Sequence, residues 1–271
     1  MCFKKWFGKP PLPVQTLPMP DATRRLITVA INDYPGSAND LRGCINDSRQ
    51  IKDTLTSFWP DFDVHRLIDV EASVQAFSKL VETAISKLSP GATVLVLSDS
   101  CFSGTVTRFN FQDMIKFTNR YYQNPELFDV QYPKKAFTSK DGMADMKWIA
   151  ISGCGETQYS ADAFIGGDYH GAFTYYAMNS LLPGMTYYDW FNKIRTILPN
   201  AMFEQAPDME GPEELKNRVV CMGETLIIHN STHGTQMPGS GGSDEPIDEA
   251  ICFYDGNLRD DDYNQLLNKI P

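Results

Sequence analysis

ATVLVLSDSCFSG, residues 92–104, opens with an apolar run over 92–97 and ends in small polar residues. A near-continuous apolar run of that length reads as a strand covered on both faces, which places it inside a parallel sheet. Working outward, Ser89-Pro90-Gly91 just before it stops a helix. Val74, Phe77, Leu80, Val81, Ala84, Ile85 and Leu88 recur at helical spacing and predict that helix over 73–88. Upstream again, Val64–Val70 reads as a strand. Leu41, Ile45, Ile51, Leu55 and Phe58 mark a helix over 39–58, and LITVAI (26–31) marks a first strand. Strands alternating with helices predict an α/β protein, three layers deep, with a mostly parallel central sheet.

Downstream the periodicity weakens. Residues 105–147 are polar and aromatic and read as a long excursion with a helix near 111–123. Strand character resumes at 147–152, followed by helices near 170–182 and 186–198. Residues 199–222, around Pro207 and Pro212, read as loop. A last strand runs over Thr225–His229, a Gly/Ser/Asp-rich loop over 234–248, and a closing helix over 260–270. Residues 1–22 read as a proline-rich, extended arm, and 23–271 as a single domain.

The chain has 271 residues, 42% of them hydrophobic and 21% charged, so wholesale disorder is excluded. The formal net charge is −10, which disfavours nucleic acid and favours cationic partners such as Lys- or Arg-containing peptides. No apolar stretch is long enough to span a membrane. Six dispersed cysteines with no C-x-x-C pair fit a reducing compartment, so the expected location is the cytoplasm; a monomer is the expected state.

Two strand ends carry candidate chemistry. Cys101 follows the apolar run among small polar residues, where open parallel sheets build their sites. A thiol there suits a nucleophile once a base is near. His233-Gly234 follows the last strand. Histidine takes a thiol proton near neutral pH, and a glycine after it lets its N–H approach a carbonyl closely. The bland alternatives are a buried structural cysteine and a structural histidine, and Cys44, Cys154, Cys221, Cys252, His65, His170 and His229 are assigned to them.

Several segments resemble one family. DSCFSG (99–104) is similar to the nucleophile motif of metacaspases and bacterial caspase-like peptidases, and STHGTQ (231–236) to their His-Gly motif. VAINDYPGSANDLRGCINDSRQI (29–51) resembles their opening strand and helix. GAFTYYAMNSLL (171–182) resembles their small-subunit helix, and PIDEAICFYDGNLRDDDYNQLL (246–267) the stretch after the family's histidine.

The resemblance implies a caspase-like fold and a cysteine endopeptidase that cuts after Arg or Lys. Residues 23–104 and 224–271 would be large-subunit-like, 105–147 a linker and 148–223 small-subunit-like. Cys101 would be the nucleophile and His233 the base, with the N–H groups of Gly234 and Cys101 holding the oxyanion. Cys44, Asp47, Asp99 and Ser231 would line the pocket for the basic side chain. Asp248, Asp260 and Asp261 match calcium-binding positions, but Arg108 stands where a further aspartate is expected. Phe102 and Thr232 replace the family's usual His and Gly.

The segment order departs too, because the His segment here follows the Cys segment. The block 224–271 reads as transposed from between residues 90 and 91. The Cys-then-His order also fits papain-like enzymes, whose cysteine instead opens a helix. Self-cleavage is expected in the excursion, near Lys134-Lys135 or Lys140. A catalytically silent scaffold and a thiol hydrolase or transpeptidase of other specificity remain the alternatives.

Overall fold

A computed structural model describes residues 23–100, 117–120, 122, 146–155, 158–239 and 247–271. Its centre is a six-stranded sheet in the order β2-β1-β9-β3-β5-β8. The strands are β1 (Arg24–Ala30), β2 (Phe62–Ile68), β3 (Thr93–Asp99), β5 (Ile149–Ser152), β8 (Asp208–Glu210) and β9 (Thr225–Ser231). All neighbours pair in parallel except β8, which runs antiparallel to β5. β3 and β9 are buried along their whole length, as the apolar run predicts.

Helices cover both faces. α2 (Val74–Ile85) and α6 (Asp260–Leu267) pack on one side, where Phe77, Val81, Tyr263 and Leu267 meet Val94, Val96, Leu226 and Ile228. α1 (Cys44–Phe58), α3 (Ala172–Ser180) and α4 (Tyr187–Ile197) pack on the other, where Ile51, Leu55, Phe173 and Trp190 meet Leu95, Leu97 and Ile227. Successive residues of β9 thus feed opposite cores, as a period of two requires. The fold is a mixed α/β structure with a mostly parallel sheet between helical layers, consistent with a caspase-like fold.

Two small antiparallel sheets lie outside this sandwich. One is β4 (Phe117–Asn119), β6 (Ala161–Ile165) and β7 (Asp168–Gly171), and the other is β10 (Gly234–Pro238), β11 (Ile247–Cys252) and β12 (Asn257–Arg259). They bring corrections. The expected helix near 111–123 is extended at 117–119, where the backbone pairs with β6. The stretch 199–222 contains β8 and a short helix α5 (Glu213–Lys216), and β10 occupies the start of the expected loop. β4 and β8 are three residues each and are held by strands distant in sequence, so local periodicity does not carry them.

β9 arrives late in the chain but lies between β1 and β3. At its entry, Thr93 N–H donates to the Glu224 carbonyl (2.9 Å) and Ser89 N–H to the Glu224 carboxylate (2.9 Å). Residues on either side of position 90 therefore touch the start of β9. No helix among the described residues is long and apolar enough to cross a membrane. Cys44, Cys154, Cys221 and Cys252 are buried and form no disulfide among the described residues.

Candidate functional site

The carboxyl ends of β1, β9, β3 and β5 lie side by side, the position where parallel sheets place ligands. Register decides what meets there. Asp99, the last residue of β3, pairs with Ser231, the last of β9. One step beyond, the Ser100 and Thr232 hydroxyls are 3.0 Å apart. The next residues in the two strands' exits are Cys101, which lies outside the described residues, and His233.

His233 is buried and firmly oriented. Its ring Nε2 is 2.8 Å from the Asn39 carbonyl. A carbonyl only accepts, so Nε2 carries the proton of the neutral ring. Nδ1 is then the basic nitrogen, and it has no hydrogen-bond partner among the described residues. The His233 N–H donates to the Tyr34 hydroxyl (2.9 Å), and the two rings lie 5.0 Å apart. Burial disfavours the imidazolium and pushes the pKa of His233 down to about 4. The ring is therefore a neutral base at pH 7.

Beside it lies a buried well of carboxylates. Asp47, in the first turn of α1, reaches in from one side, and Asp99 from the end of β3. Asp162 on β6 adds a third carboxylate, and Ser231 a hydroxyl. The well holds the guanidinium of Arg120, which is 0% exposed. Its Nη2 donates to Asp47 (2.8 Å) and Asp162 (3.0 Å). Its Nη1 donates to the Ser231 hydroxyl (2.7 Å) and the Asp99 carbonyl (3.1 Å). Burial works against that charge, but the surrounding carboxylates hold the guanidinium firmly protonated. Burial also pushes the Asp47 carboxyl up, against the pull of Arg120. Every hydrogen bond placed on the Asp47 oxygens from Gly171 N–H, Ser231 and Arg120 is a donated one, so the carboxylate is the form that fits.

The well is braced from behind. Asp99 accepts from Ser160 Oγ, from Thr174 N–H (2.8 Å) and from Thr174 Oγ1 (2.7 Å). His229 lies between Thr28 (3.0 Å) and Thr174 (3.1 Å), so it positions Thr174 and, through it, Asp99. Asp162 accepts from the N–H groups of Arg42 and Gly43 (2.8 Å each), and Asn32 Oδ1 from that of Cys44 (2.9 Å). These carboxylate and amide oxygens satisfy the amides at the start of α1, where no side chain of the cap residue does so.

Of the residues singled out from sequence, the structure brings together Asp47, Asp99, Ser231, His233 and Gly234. Cys44 opens α1 at the edge of the well, and burial pushes its thiol pKa up. Sequence reasoning missed Asp162 and Arg120, and it took His170, now 3.3 Å from Asp47, as purely structural. Asp162 falls in a short strand without alternation and Arg120 in the weakly periodic excursion, so neither carries a local signal.

The proposed calcium ligands lie elsewhere. Asp248, on β11, is buried and paired with the guanidinium of Arg259. Asp260 and Asp261 start α6. Among the described residues no three His, Cys, Asp or Glu side chains converge as a metal site. With Arg259 occupying the cation position on Asp248, these residues as arranged do not fit calcium. Arg108 lies outside the described residues.

Residues 23–98 match the caspase-domain family. That match ends at Ser98, one residue before Asp99. Over that stretch the chain resembles a caspase domain. It is 42% identical to metacaspase-4 of Arabidopsis thaliana over 52 residues, which are 18% of this chain and 12% of that protein. The matched region is thus a small part of the relative's length. A solved structure, protein GSU0716 from Geobacter sulfurreducens, is 17% identical with a TM-score of 0.47, covering 74% of this chain and 99% of that one.

Proposed function

We propose that the chain is a cysteine endopeptidase that cuts after Arg, and less readily after Lys, with Cys101 as nucleophile and His233 as base. The observation that carries this reading is the buried three-carboxylate well holding a guanidinium next to His233-Gly234. Charges so buried are tolerated only when paired, so the well is built for a cation. Its geometry favours arginine, because Nη1 and Nη2 meet different acceptors, Ser231 and the Asp99 carbonyl for one, Asp47 and Asp162 for the other. A lysine ammonium would reach one set only. We expect kcat/KM after Arg to exceed that after Lys by roughly tenfold.

Nδ1 of His233 would take the thiol proton of Cys101. The thiolate would add to the carbonyl carbon, and the Gly234 N–H would receive the developing oxyanion. The imidazolium would protonate the leaving amine, and water would then hydrolyse the thioester. The parallel register of Asp99 with Ser231 supports this pairing. The self-processing expected near Lys134, Lys135 and Lys140 concerns residues outside those described. Hydrolysis of fluorogenic peptides ending in Arg, Lys or Asp tests the reading. Turnover after Arg and Lys that vanishes in Cys101→Ala is expected; turnover after Asp alone, or equal turnover in Cys101→Ala, would overturn it.

A further inference from the structure

The small sheet that begins beside His233 carries a buried charge pair of its own. β10 starts at Gly234, and β11 grips that start. Gly234 lies opposite Ile251, and the Cys252 N–H donates to the His233 carbonyl (3.0 Å). At the far end of the same ladder Met237 lies opposite Asp248, and Pro238 opposite Ile247. Arg259 reaches that end from β12. It lies opposite Ala250, two residues from Asp248 and on the same face. Its Nη1 donates to the Asp248 carboxylate and to the Pro238 carbonyl (2.8 Å). One guanidinium thus ties β12, β11 and β10 together.

The Asp248 side chain is 3% exposed and that of Arg259 24%. A carboxylate so buried needs a cation, and here the chain supplies one on a tether. Asp260 and Asp261, the other carboxylates of the expected calcium set, have a different duty. With Asp262 they fill the first turn of α6, where the free N–H groups and the helix dipole favour acids. No side chain of the cap residue, Arg259, bonds that helix end, because its guanidinium is spent on Asp248 and Pro238. A calcium ion on Asp248 would have to displace the guanidinium and gather about six to eight oxygens around it.

We propose that Arg259 is the resident cation of this site: it stands in for the calcium that the resemblance implies, fixes the register of β10 on β11, and so positions Gly234 without a metal. Register matters because a slip of one residue would turn every side chain of β10 to the other face and move the Gly234 N–H off its place. A site filled by calcium would respond to calcium concentration, whereas one filled by a tethered guanidinium stays set. Arg259 is a positioning residue, and its effect on turnover rests on the peptidase reading above. Its effects on stability and on calcium binding do not. The carboxylates of the well lie on other elements, Asp47 on α1, Asp99 on β3 and Asp162 on β6, so loss of Arg259 should spare arginine binding.

Full-length parent, Arg259→Ala and Arg259→Lys chains test this by thermal unfolding in EDTA and in millimolar calcium chloride, by calorimetric titration with calcium chloride, and by hydrolysis of an Arg-ending fluorogenic peptide. The parent should show the same melting temperature and the same kcat/KM in EDTA and in calcium, and no saturable calcium heat. Arg259→Ala should melt roughly 5 °C or more lower, since it strands a buried carboxylate. Its kcat should fall by about tenfold or more, with KM within about twofold, because the oxyanion donor moves and the well does not. Arg259→Lys keeps the charge and should recover part of both losses. Calcium that raises the parent's melting temperature or turnover, or that titrates to one ion per chain, overturns the proposal. An Arg259→Ala chain with the parent's stability and kcat overturns it too. No turnover by the folded parent overturns the peptidase reading instead, and the melting and titration results still decide whether Arg259 replaces calcium. Should Arg259→Ala fail to fold, Arg259→Lys and the parent's calcium titration decide.

Discussion

The Asp47 carboxylate shows what a single residue contributes at this site. It accepts from Gly171, Ser231 and Arg120, and it is wholly buried. Asp47→Ala removes one of three carboxylates facing Arg120 and leaves its donors short of an acceptor, which costs about 3–5 kcal/mol when a buried pair is broken. Urea unfolding of Asp47→Ala against parent checks this; a loss under about 1 kcal/mol would mean that Asp162 and Asp99 suffice. His233 sets a second expectation. Its pKa of about 4 in the folded protein keeps Nδ1 basic and unprotonated through mild acid. The acid limb of kcat/KM should therefore fall well below pH 6.5, the ordinary histidine range, and a limb centred there would contradict the burial argument. Cys101 and His233 stand out as candidates because each follows an apolar run and sits beside small residues, and Cys101 lies outside the described residues. Asp162 and Arg120 were not, because their meaning lies in contacts made across the chain.

Among the elements, the start of α1 joins packing to chemistry. Asp162 from β6 accepts from Arg42 and Gly43 and also holds Arg120. Gly43 is needed for that approach. A Cβ there would overlap Asp162 Oδ1 and stand 2.7 Å from the His170 Cα, so the hairpin would have to move away. Gly43→Ala should lower stability by about 1–3 kcal/mol and raise KM for Arg peptides together, since the displaced carboxylate serves both helix and well. Thermal unfolding and peptide kinetics check it; a stable protein with unchanged KM would separate the two roles. The strand–helix alternation from β1 to β3 was readable from spacing because those elements are long and packed on one or two faces. β4 was read as helix because Phe117, Thr118 and Asn119 have no pattern of their own and become a strand only against β6. β8 escaped for the same reason, at the end of the sheet beside β5.

At the scale of the whole molecule, the sheet order makes the site. β9, late in the chain, enters between β1 and β3, and His233 follows two residues after Ser231, which pairs with Asp99 at the end of β3. The same burial that orders this centre makes it sensitive to acid. His229 and His233 both have pKa values lowered to about 4, with burial the main cause. Between about 6.5 and 4 the unfolded chain binds protons that the folded chain refuses, so stability is full above that window and falls as pH drops through it, by roughly 2–3 kcal/mol for each ring. Urea midpoints at pH 7.5 and 5 should show the drop, and His229→Gln should remove part of it; a pH-independent midpoint would contradict it. The parallel fold was legible because three apolar strands and two periodic helices agree, whereas the filling of the well was not, since no spacing rule links Arg120 to Asp47. The account stands most directly on a crystal structure of Arg120→Ala after reaction with a peptidyl-arginine chloromethyl ketone. It predicts a thioether on Cys101, the inhibitor's guanidinium between Asp47 and Asp162, and Nδ1 of His233 facing the sulfur. A label on another cysteine, or a guanidinium left outside the well, would contradict it.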